Sequence, residues 1–557
     1  VEVVLGLNCF SHDTSAALLV DGALVAFAEE ERFNREVHTK RFPHQAIGSV
    51  LRQGGIDISL VDYVAFAQQP LTDFRRGALD AVKRWAPRRL AAQAFIDARL
   101  ASKVQLFRRT WGYRGPIFNV AHHMAHAAGT YFSSPFDEAA ILTLDRGGDF
   151  LSSTTNVGWG GHIQVHQETL NPNSLGEVYT AITRFIGFHP NDEGKVMGLA
   201  PYGTTKFVEE LKDLVTLTPD GGFSVNLEWF NYQTDGAGVS SAFMARYGAP
   251  RPPGSEITDR DKALAYAVQD LIEESALHVA RSLRISSKSP HLCLSGGLVL
   301  NSVMNTRLLE EAGFDDVWIQ PAAGDAGNAL GAALWVWHER LGRPRHWQMA
   351  DAFYGESWSD DDCATALRRA GVAYSRVASP PAEAARRLSE SKVVGWFQGR
   401  AEAGPRALGA RSILADPRRA EMRDVVNERV KHREWFRPFA PSVLDRCGRD
   451  FFDRYHPSPF MLLVLPIKES MQDVIPACSH VDGTGRVQSV TAEFNPAFHE
   501  VIERFADHTG VPVVLNTSFN LAGEPMVHRP GEAVADFLRS DMDSLVLGPY
   551  VTDKPGS

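Results

Sequence analysis

Cysteine is scarce in this sequence: the five among 557 residues, at positions 9, 293, 363, 447 and 478, never form a C-x-x-C pair. That excludes a zinc ribbon and a disulfide scaffold, and a reducing cytoplasm is the expected setting. Long apolar runs are missing too. No stretch reaches the roughly 18 uninterrupted apolar residues of a membrane span, and no charged leader followed by an apolar run opens the chain. An excess of positive charge is also absent. With a formal net charge of −10, broad binding to a phosphate backbone is not expected, so nucleic acid is not predicted as a partner, although a local basic patch is compatible with that charge. What remains is the composition of an ordinary globular protein, long enough for at least two domains with their own cores.

The opening "VEVVLGLNCFSHDTSAALLVDGALVAFAEEERF" alternates apolar strands with turn signals, and Asp21-Gly22 between two such runs marks a hairpin. A second unit of similar pattern starts near "EAAILTLDRGGDF" and continues into "TTNVGWGGHIQVHQET". Two βββ units, each followed by helices, predict an internally duplicated α/β fold with a cleft between its halves. Later segments alternate strand and helix, and "HLCLSGG" and "DVWIQPAAGD" end in glycine-bearing loops of the kind that hold nucleotides. The Pro- and Gly-rich stretch 341–360 is the best linker. The predicted organisation is a first domain at 1–345, a linker at 346–360 and a second domain at 361–557. Residues 71–114 carry eleven Lys and Arg residues among Leu, Phe and Trp, a pattern that most often marks solvated helical faces.

"AHHMAHA" at 121–127 places His122 and His126 four apart, on one face of a helix, while His123 points elsewhere. Alone, such a pair is more often a polar patch than a metal site. Two strand-end acids, Asp145 in "LTLDRGGD" and Asp325 in "PAAGDAGNALG", change the balance, because facing halves of a duplicated fold would bring them to the same helix. Such mixed nitrogen and oxygen donors suit iron or zinc; helix capping is the competing role for the acids. Beside them, Ser295, Gly296, Gly297 and Asn301 can hold a ribose or phosphate, and "NDEGKVMGLAPYG" adds Lys195 and Glu193.

In the second domain, "GRAEAGPRALGARSILADPR" places Arg400, Arg406, Arg411 and Arg418 among glycines. "VKHREWFRPFAPS" adds Lys431, Arg433 and Arg437, "SHVDGTGRVQSV" adds Arg486, and "LNTSFNLAGEP" adds Asn516, Ser518 and Asn520. Guanidinium forks with a lysine and small polar groups predict a pocket for a phosphate-bearing small molecule.

Together with "HDTSAALLVDG", "EEERF", "LSGGLVLN" and "REWFRPFAPS", these motifs resemble, in order and over nearly the whole chain, the ATP-dependent O-carbamoyltransferases of antibiotic biosynthesis, the NodU/CmcH family. The resemblance implies an N-terminal domain of the duplicated actin-like ATPase (RNase H-like) fold and a C-terminal YrdC-like α/β domain. It implies that the latter makes carbamoyladenylate from carbamoyl phosphate and ATP with Mg2+, and that the former passes the carbamoyl group to a hydroxyl of a natural product, whether a polyketide, a glycoside or an aminoglycoside. A homodimer is compatible with this reading.

Carried onto this sequence, the resemblance makes His122, His126, Asp145 and Asp325 metal ligands, for Fe2+ first and zinc second. Lys431, Arg437, Arg486 and Ser518 would hold carbamoyl phosphate and the reacting end of the adenylate. Arg406, Asn516 and Asn520 would place nucleotide phosphates, and Lys195, Gly296, Gly297, Asn301 and Gly324 would form the adenylate-binding loops. His12 in "SHDTS" is the candidate base. "DRGGD" departs from the family, which more often has glycine directly after the aspartate where Arg146 stands here. The aromatic residues of 71–114 lean the acceptor toward a bulky glycosylated or polyketide hydroxyl. Competing readings are threonylcarbamoyl transfer to tRNA and a nucleotide- or metal-binding sensor. The acidic balance weighs against the first, and the C-terminal arginines would have no purpose in the second.

Overall fold

In the computed structural model, which describes residues 1–69, 98, 102–233 and 238–554, the chain forms two compact units. One comprises residues 1–25 and 40–349, the other 26–39 and 350–557.

The first unit repeats one sheet twice. Val3–Asn8 (β1), Ser15–Val20 (β2), Ala23–Glu29 (β3), Tyr63–Ala67 (β4) and Ile117–Val120 (β5) lie in the order β3-β2-β1-β4-β5. Strand β1 runs antiparallel to β2 and parallel to β4, and β4 is parallel to β5. Glu138–Gly148 (β6), Leu151–Trp159 (β7) and His162–Leu170 (β8) begin the second half. After a small hairpin of Val215–Leu217 (β9) and Phe223–Val225 (β10), it is completed by His291–Ser295 (β11) and Asp316–Ile319 (β12), in the order β12-β11-β6-β7-β8. Here too the first three strands form an antiparallel meander and the last two are parallel additions. This is the duplicated α/β fold that the paired βββ patterns predict. Asp21 and Gly22 both have positive φ (48° and 80°), the two-residue turn whose twist suits a hairpin.

Close helix packing joins the two halves. The helices His122–Tyr131 and Asn328–Trp335 cross so tightly that a Cβ on Gly331 would lie 1.8 Å from the Ala125 carbonyl oxygen. The small residues of "AGNALGAAL" therefore bring the histidine helix against the loop that carries Asp325.

The second unit is built on a nine-stranded mixed sheet. Its strands are Ser375–Arg376 (β13), Val394–Phe397 (β14), Arg411–Ala415 (β15), Ala440–Leu444 (β16), Leu463–Pro466 (β17), Thr484–Val490 (β18), Val513–Ser518 (β19), Ser544–Leu547 (β20) and Tyr550–Asp553 (β21). They lie in the order β13-β21-β20-β14-β15-β19-β16-β18-β17. Strands β14, β15 and β16 are buried along their whole length.

Residues 26–39, expected in the first domain, pack with this second unit instead. Glu29 accepts the Gly404 N–H at 2.8 Å, and Arg32 donates to the Gly404 carbonyl at 2.7 Å while pairing with Glu29 at 3.1 Å. The reason is that "EEERF" is a buried ion pair, and the backbone of "EAGPRALG" supplies the hydrogen bonds it needs away from water. Of the basic segment, residues 71–97 and 99–101 lie outside the described residues, and with them Phe74, Trp85 and Phe95. Lys103, read as part of a solvated face, is fully buried: its Nζ donates to the Gln68 carbonyl at 2.7 Å and sits 5.2 Å from the centre of the Phe66 ring.

Candidate functional site

The first unit gathers His122, His126, Asp145 and Asp325 into one buried cluster whose ligand atoms all lie within 4.8 Å of one another. The Nε2 of His122 is 3.2 Å from Asp145 Oδ2, 3.2 Å from the Nε2 of His126 and 3.6 Å from Asp325 Oδ1; His126 Nε2 is 3.4 Å from Asp325 Oδ1. Donors about 2.1 Å from one shared centre are themselves about 3–3.4 Å apart, so these edges fit a bound transition ion.

Tautomer chemistry agrees with that fit. Ser295 Oγ donates to the Ala323 carbonyl at 3.1 Å and so accepts from the Nδ1–H of His126 at 3.0 Å, which leaves the Nε2 lone pair aimed into the cluster. Asp325 Oδ1 is buried with no hydrogen-bond partner, an orphan that a cation would satisfy.

Gly148 makes room for this arrangement, because a Cβ there would lie 2.3 Å from His122 Cγ. Asp145 is further fixed by the N–H of Gly297, at 2.9 Å from Oδ1. Burial opposes its ionisation, yet His122 and His126 hold it well below the usual carboxylate range. His122 shows the converse: burial disfavours its charge, but Asp325, then Asp145, push it up to about 9. His123 turns away to Thr143 Oγ1 at 2.7 Å, and burial drives it down to about 3, so it stays neutral.

His12 stands at the edge of the cluster, with Nε2 3.7 Å from Asp325 Oδ2 and Nδ1 2.9 Å from Asp13 Oδ2. Burial opposes its charge, but Asp325 and Asp13 raise it to about 9. A cation shared with Asp325 would counter that rise.

Of the expected adenylate loops, Gly296 and Gly297 follow β11 and Gly324 follows β12. Gly296 has φ 110° and donates to the Ala323 carbonyl at 2.8 Å, and a Cβ on Gly324 would come within 4.0 Å of Gly297 Cα, so the two loops run side by side next to Asp145. Asn301 caps the helix Ser302–Glu311 and exchanges amide hydrogen bonds with Gln269 at 2.9 and 3.1 Å, which commits its side chain to the protein. Lys195 pairs with Asp192 at 3.1 Å and lies over the Phe188 ring.

The second unit divides the expected phosphate pocket. Arg400 donates to the carbonyls of Gly355 and Tyr354, Arg411 to those of Gln398, Ala410, Glu356 and Gly399, and Arg418 pairs with Asp416. These three hold the fold together. Arg406, Arg433, Arg437 and Arg486 remain, and with Lys431 they lie near enough to disfavour one another's charges. Burial and these neighbours push Arg433, Arg486 and Lys431 well below their ordinary values, and burial followed by Arg437 lowers Arg406 to about 10. Arg437 pairs with Glu434 at 3.6 Å. Such crowding calls for an anion.

The Lys431 ammonium is ringed by the Ser518 carbonyl at 2.7 Å, the Asn520 carbonyl at 2.8 Å and Asn520 Oδ1 at 2.6 Å, with Ser518 Oγ at 3.3 Å. Asn520 thus groups with Lys431 and Ser518. Asn516 sits deeper, bonded to the Ala407 carbonyl, Ser442 and Gln488.

Three residues near the metal cluster escaped the sequence reading. Asn328 Nδ2 lies 3.1 Å from His126 Nε2; its position three residues after Asp325, on the same turn, was the available signal. Asp149 accepts the His122 backbone N–H at 2.7 Å and that of Gln69 at 3.1 Å, and Lys103 is buried behind it; nothing local marks either one.

Fold and site together describe a duplicated α/β unit with a His2Asp2 cluster, and a second α/β unit with a group of crowded basic side chains. The family is defined by similarity over the whole chain: a family model described as "Carbamoyltransferase N-terminus" matches residues 3–334, and one described as "Carbamoyltransferase C-terminus" matches residues 385–554. The chain belongs to this carbamoyltransferase family. Among its relatives, the uncharacterized protein sll1178 of Synechocystis is 39% identical, with 99% of this chain and 96% of that one covered. Nodulation protein NolNO of Sinorhizobium fredii is 36% identical, with 98% and 80% covered. Component A of the Acidaminococcus fermentans (R)-2-hydroxyglutaryl-CoA dehydratase, a solved structure, matches at 14% identity and a TM-score of 0.31, over 60% of this chain and 97% of that one. Among the described residues, no helix is long and apolar enough to cross a membrane.

Proposed function

We propose that this carbamoyltransferase is ATP-dependent: its second, YrdC-like unit makes carbamoyladenylate from carbamoyl phosphate and ATP·Mg2+, and its first unit transfers the carbamoyl group to a hydroxyl of a small natural product. The observation that carries this reading is the crowding of Lys431, Arg406, Arg433, Arg437 and Arg486, which disfavour one another's charges. Five basic groups gathered in this way suit a ligand with several phosphates, and the substrates of this reaction bring four between them.

In the adenylating unit, water cleaves carbamoyl phosphate to carbamate and phosphate, and a carbamate oxygen then attacks the α-phosphorus of ATP, expelling pyrophosphate. Lys431, Arg437, Arg486 and Ser518 orient carbamoyl phosphate and the reacting end of the adenylate, while Arg406 and Asn516 steady the nucleotide phosphates. In the transfer unit, the acceptor oxygen bonds to the carbamoyl carbon, its proton leaves and AMP departs. His122, His126, Asp145 and Asp325 would hold a divalent ion, which we take to be Fe2+ with zinc as the alternative and which would supply Lewis acidity for the transfer. The side-by-side Gly296–Gly297 and Gly324 loops, with no side chains of their own in the way, take the adenylate, and His12 takes up the acceptor proton once its own has left.

The acceptor is a hydroxylated natural product. Antibiotic tailoring is one branch of that proposal, and relatives named for nodulation extend it beyond antibiotics.

The test is pyrophosphate release dependent on carbamoyl phosphate, with mass spectrometry of carbamoyladenylate. Wild-type chain forms the adenylate and Lys431→Ala or Arg486→Ala abolishes it. Adenylate formation by either well-folded variant at the wild-type rate refutes the assignment, and release driven by bicarbonate and threonine instead would favour threonylcarbamoyl chemistry.

A further inference from the structure

Arg35 belongs to none of the site residues assigned above. It closes the short helix Glu31–Asn34 in a left-handed conformation (φ 61°), within the 26–39 segment of the second unit. Its guanidinium fork donates to two consecutive carbonyls, Nη1 to Met526 at 2.7 Å and Nη2 to Pro525 at 2.8 Å. Glu524 and Glu532 flank it at 3.7 and 3.4 Å. One residue back along the loop, the Glu524 carbonyl accepts from Asn520 Nδ2 at 2.6 Å, and the other end of that amide, Oδ1, accepts from Lys431 Nζ and Ser518 Oγ, each at 2.6 Å.

We infer that Arg35 is a positioning residue for carbamoyl phosphate: by clamping residues 524–526 it fixes the Asn520 amide, and through it the Lys431 ammonium. The inference rests on the proposed role of Lys431. Only a planar fork serves two adjacent carbonyls at once; a lysine ammonium on a flexible stem fixes one direction poorly. Without the clamp, the 518–526 loop loses two hydrogen bonds at its far end, and the Asn520 amide is free to rotate away from Lys431. Asn516, which we assign to the nucleotide, is held instead by the Ala407 carbonyl and Gln488, and Arg406 lies next to Arg437.

The experiment uses the full-length chain and steady-state pyrophosphate release, varying carbamoyl phosphate and ATP in turn. Arg35→Ala is expected to raise the KM for carbamoyl phosphate and lower its kcat/KM by roughly 10- to 100-fold, the cost of a small misplacement, with the KM for ATP unchanged. Arg35→Lys is expected to fall between, and it decides the matter if the alanine variant fails to fold. An unchanged carbamoyl phosphate dependence in a folded variant overturns the inference and leaves the role of Lys431 standing. Equal losses in both KM values, together with a lowered melting temperature, overturn it as well, because they mark a purely structural clamp. If the wild-type chain itself releases no pyrophosphate in response to carbamoyl phosphate, the reading of Lys431 falls and this inference with it.

Discussion

Alanine at Gly148 is expected to disable the His/Asp cluster while leaving the adenylating unit intact. Its Cβ would lie 2.3 Å from His122 Cγ, 2.4 Å from Cδ2 and 2.6 Å from Nδ1, whereas ordinary contact begins near 3.4 Å. The ring must therefore retreat by 3.4 − 2.3, about 1.1 Å. It cannot swing freely, because Asp149 holds the His122 N–H and the helix behind it is pressed onto Gly331. Metal ligation tolerates only about 0.2 Å, so His122 leaves the donor set. We expect metal affinity to fall by at least ~10- to 100-fold, or about 1.4–2.7 kcal/mol, with an overpacking cost to the unit of about 1–3 kcal/mol. Metal content per chain, measured by mass spectrometry after anaerobic loading with Fe2+ or with Zn2+ and gel filtration, reads the effect directly. Pyrophosphate release dependent on carbamoyl phosphate serves as the control that the rest of the chain is folded. Full metal retention with undiminished carbamoyl transfer would refute the assignment of His122 as a ligand held in place by the missing Cβ.

Removing the ligand itself separates the two half-reactions: His122→Ala should still form carbamoyladenylate and fail to carbamoylate any acceptor, and loss of adenylate synthesis in the folded variant would sink that division of labour. His338 supplies a pH test away from the cluster. Burial pushes its folded-state pKa down to about 4, partly offset by a hydrogen bond to the Arg343 carbonyl at 3.0 Å. Below the unfolded value of about 6.5, the unfolded chain binds a proton that the folded chain refuses, so stability falls as the pH drops from there toward 4, by about 3 kcal/mol in total. His338→Gln removes that contribution, and urea melts of the two proteins at neutral pH and near pH 5 should diverge. Parallel pH profiles would show that His338 does not contribute.

Local stereochemistry made some features readable from the chain alone. A four-residue spacing puts His122 and His126 on one helical face whatever surrounds them, and Asp-Gly between two apolar runs forces a two-residue hairpin. Asp145 and Asp325, read as strand-end acids, lie instead at the irregularity inside β6 and in a 3-10 turn that follows Gly324, beyond the end of β12. The basic motifs were legible only as a count. Which arginines bind backbone carbonyls and which crowd one another depends on loops that meet from distant sequence: Arg411 bonds four carbonyls, while Arg406, five residues away, lies close to Arg437.

By itself, then, the sequence determined the duplicated strand pattern, the helical pairing of the histidines and the composition of the two pockets, because each of these follows from the geometry of a few neighbouring residues. Only the tertiary structure decided that residues 26–39 pack with the second unit, that Lys103 is buried and that Arg35 reaches Pro525 and Met526. Those outcomes turn on how groups hundreds of positions apart satisfy one another's charges and hydrogen bonds once water has been excluded, and no local pattern encodes that.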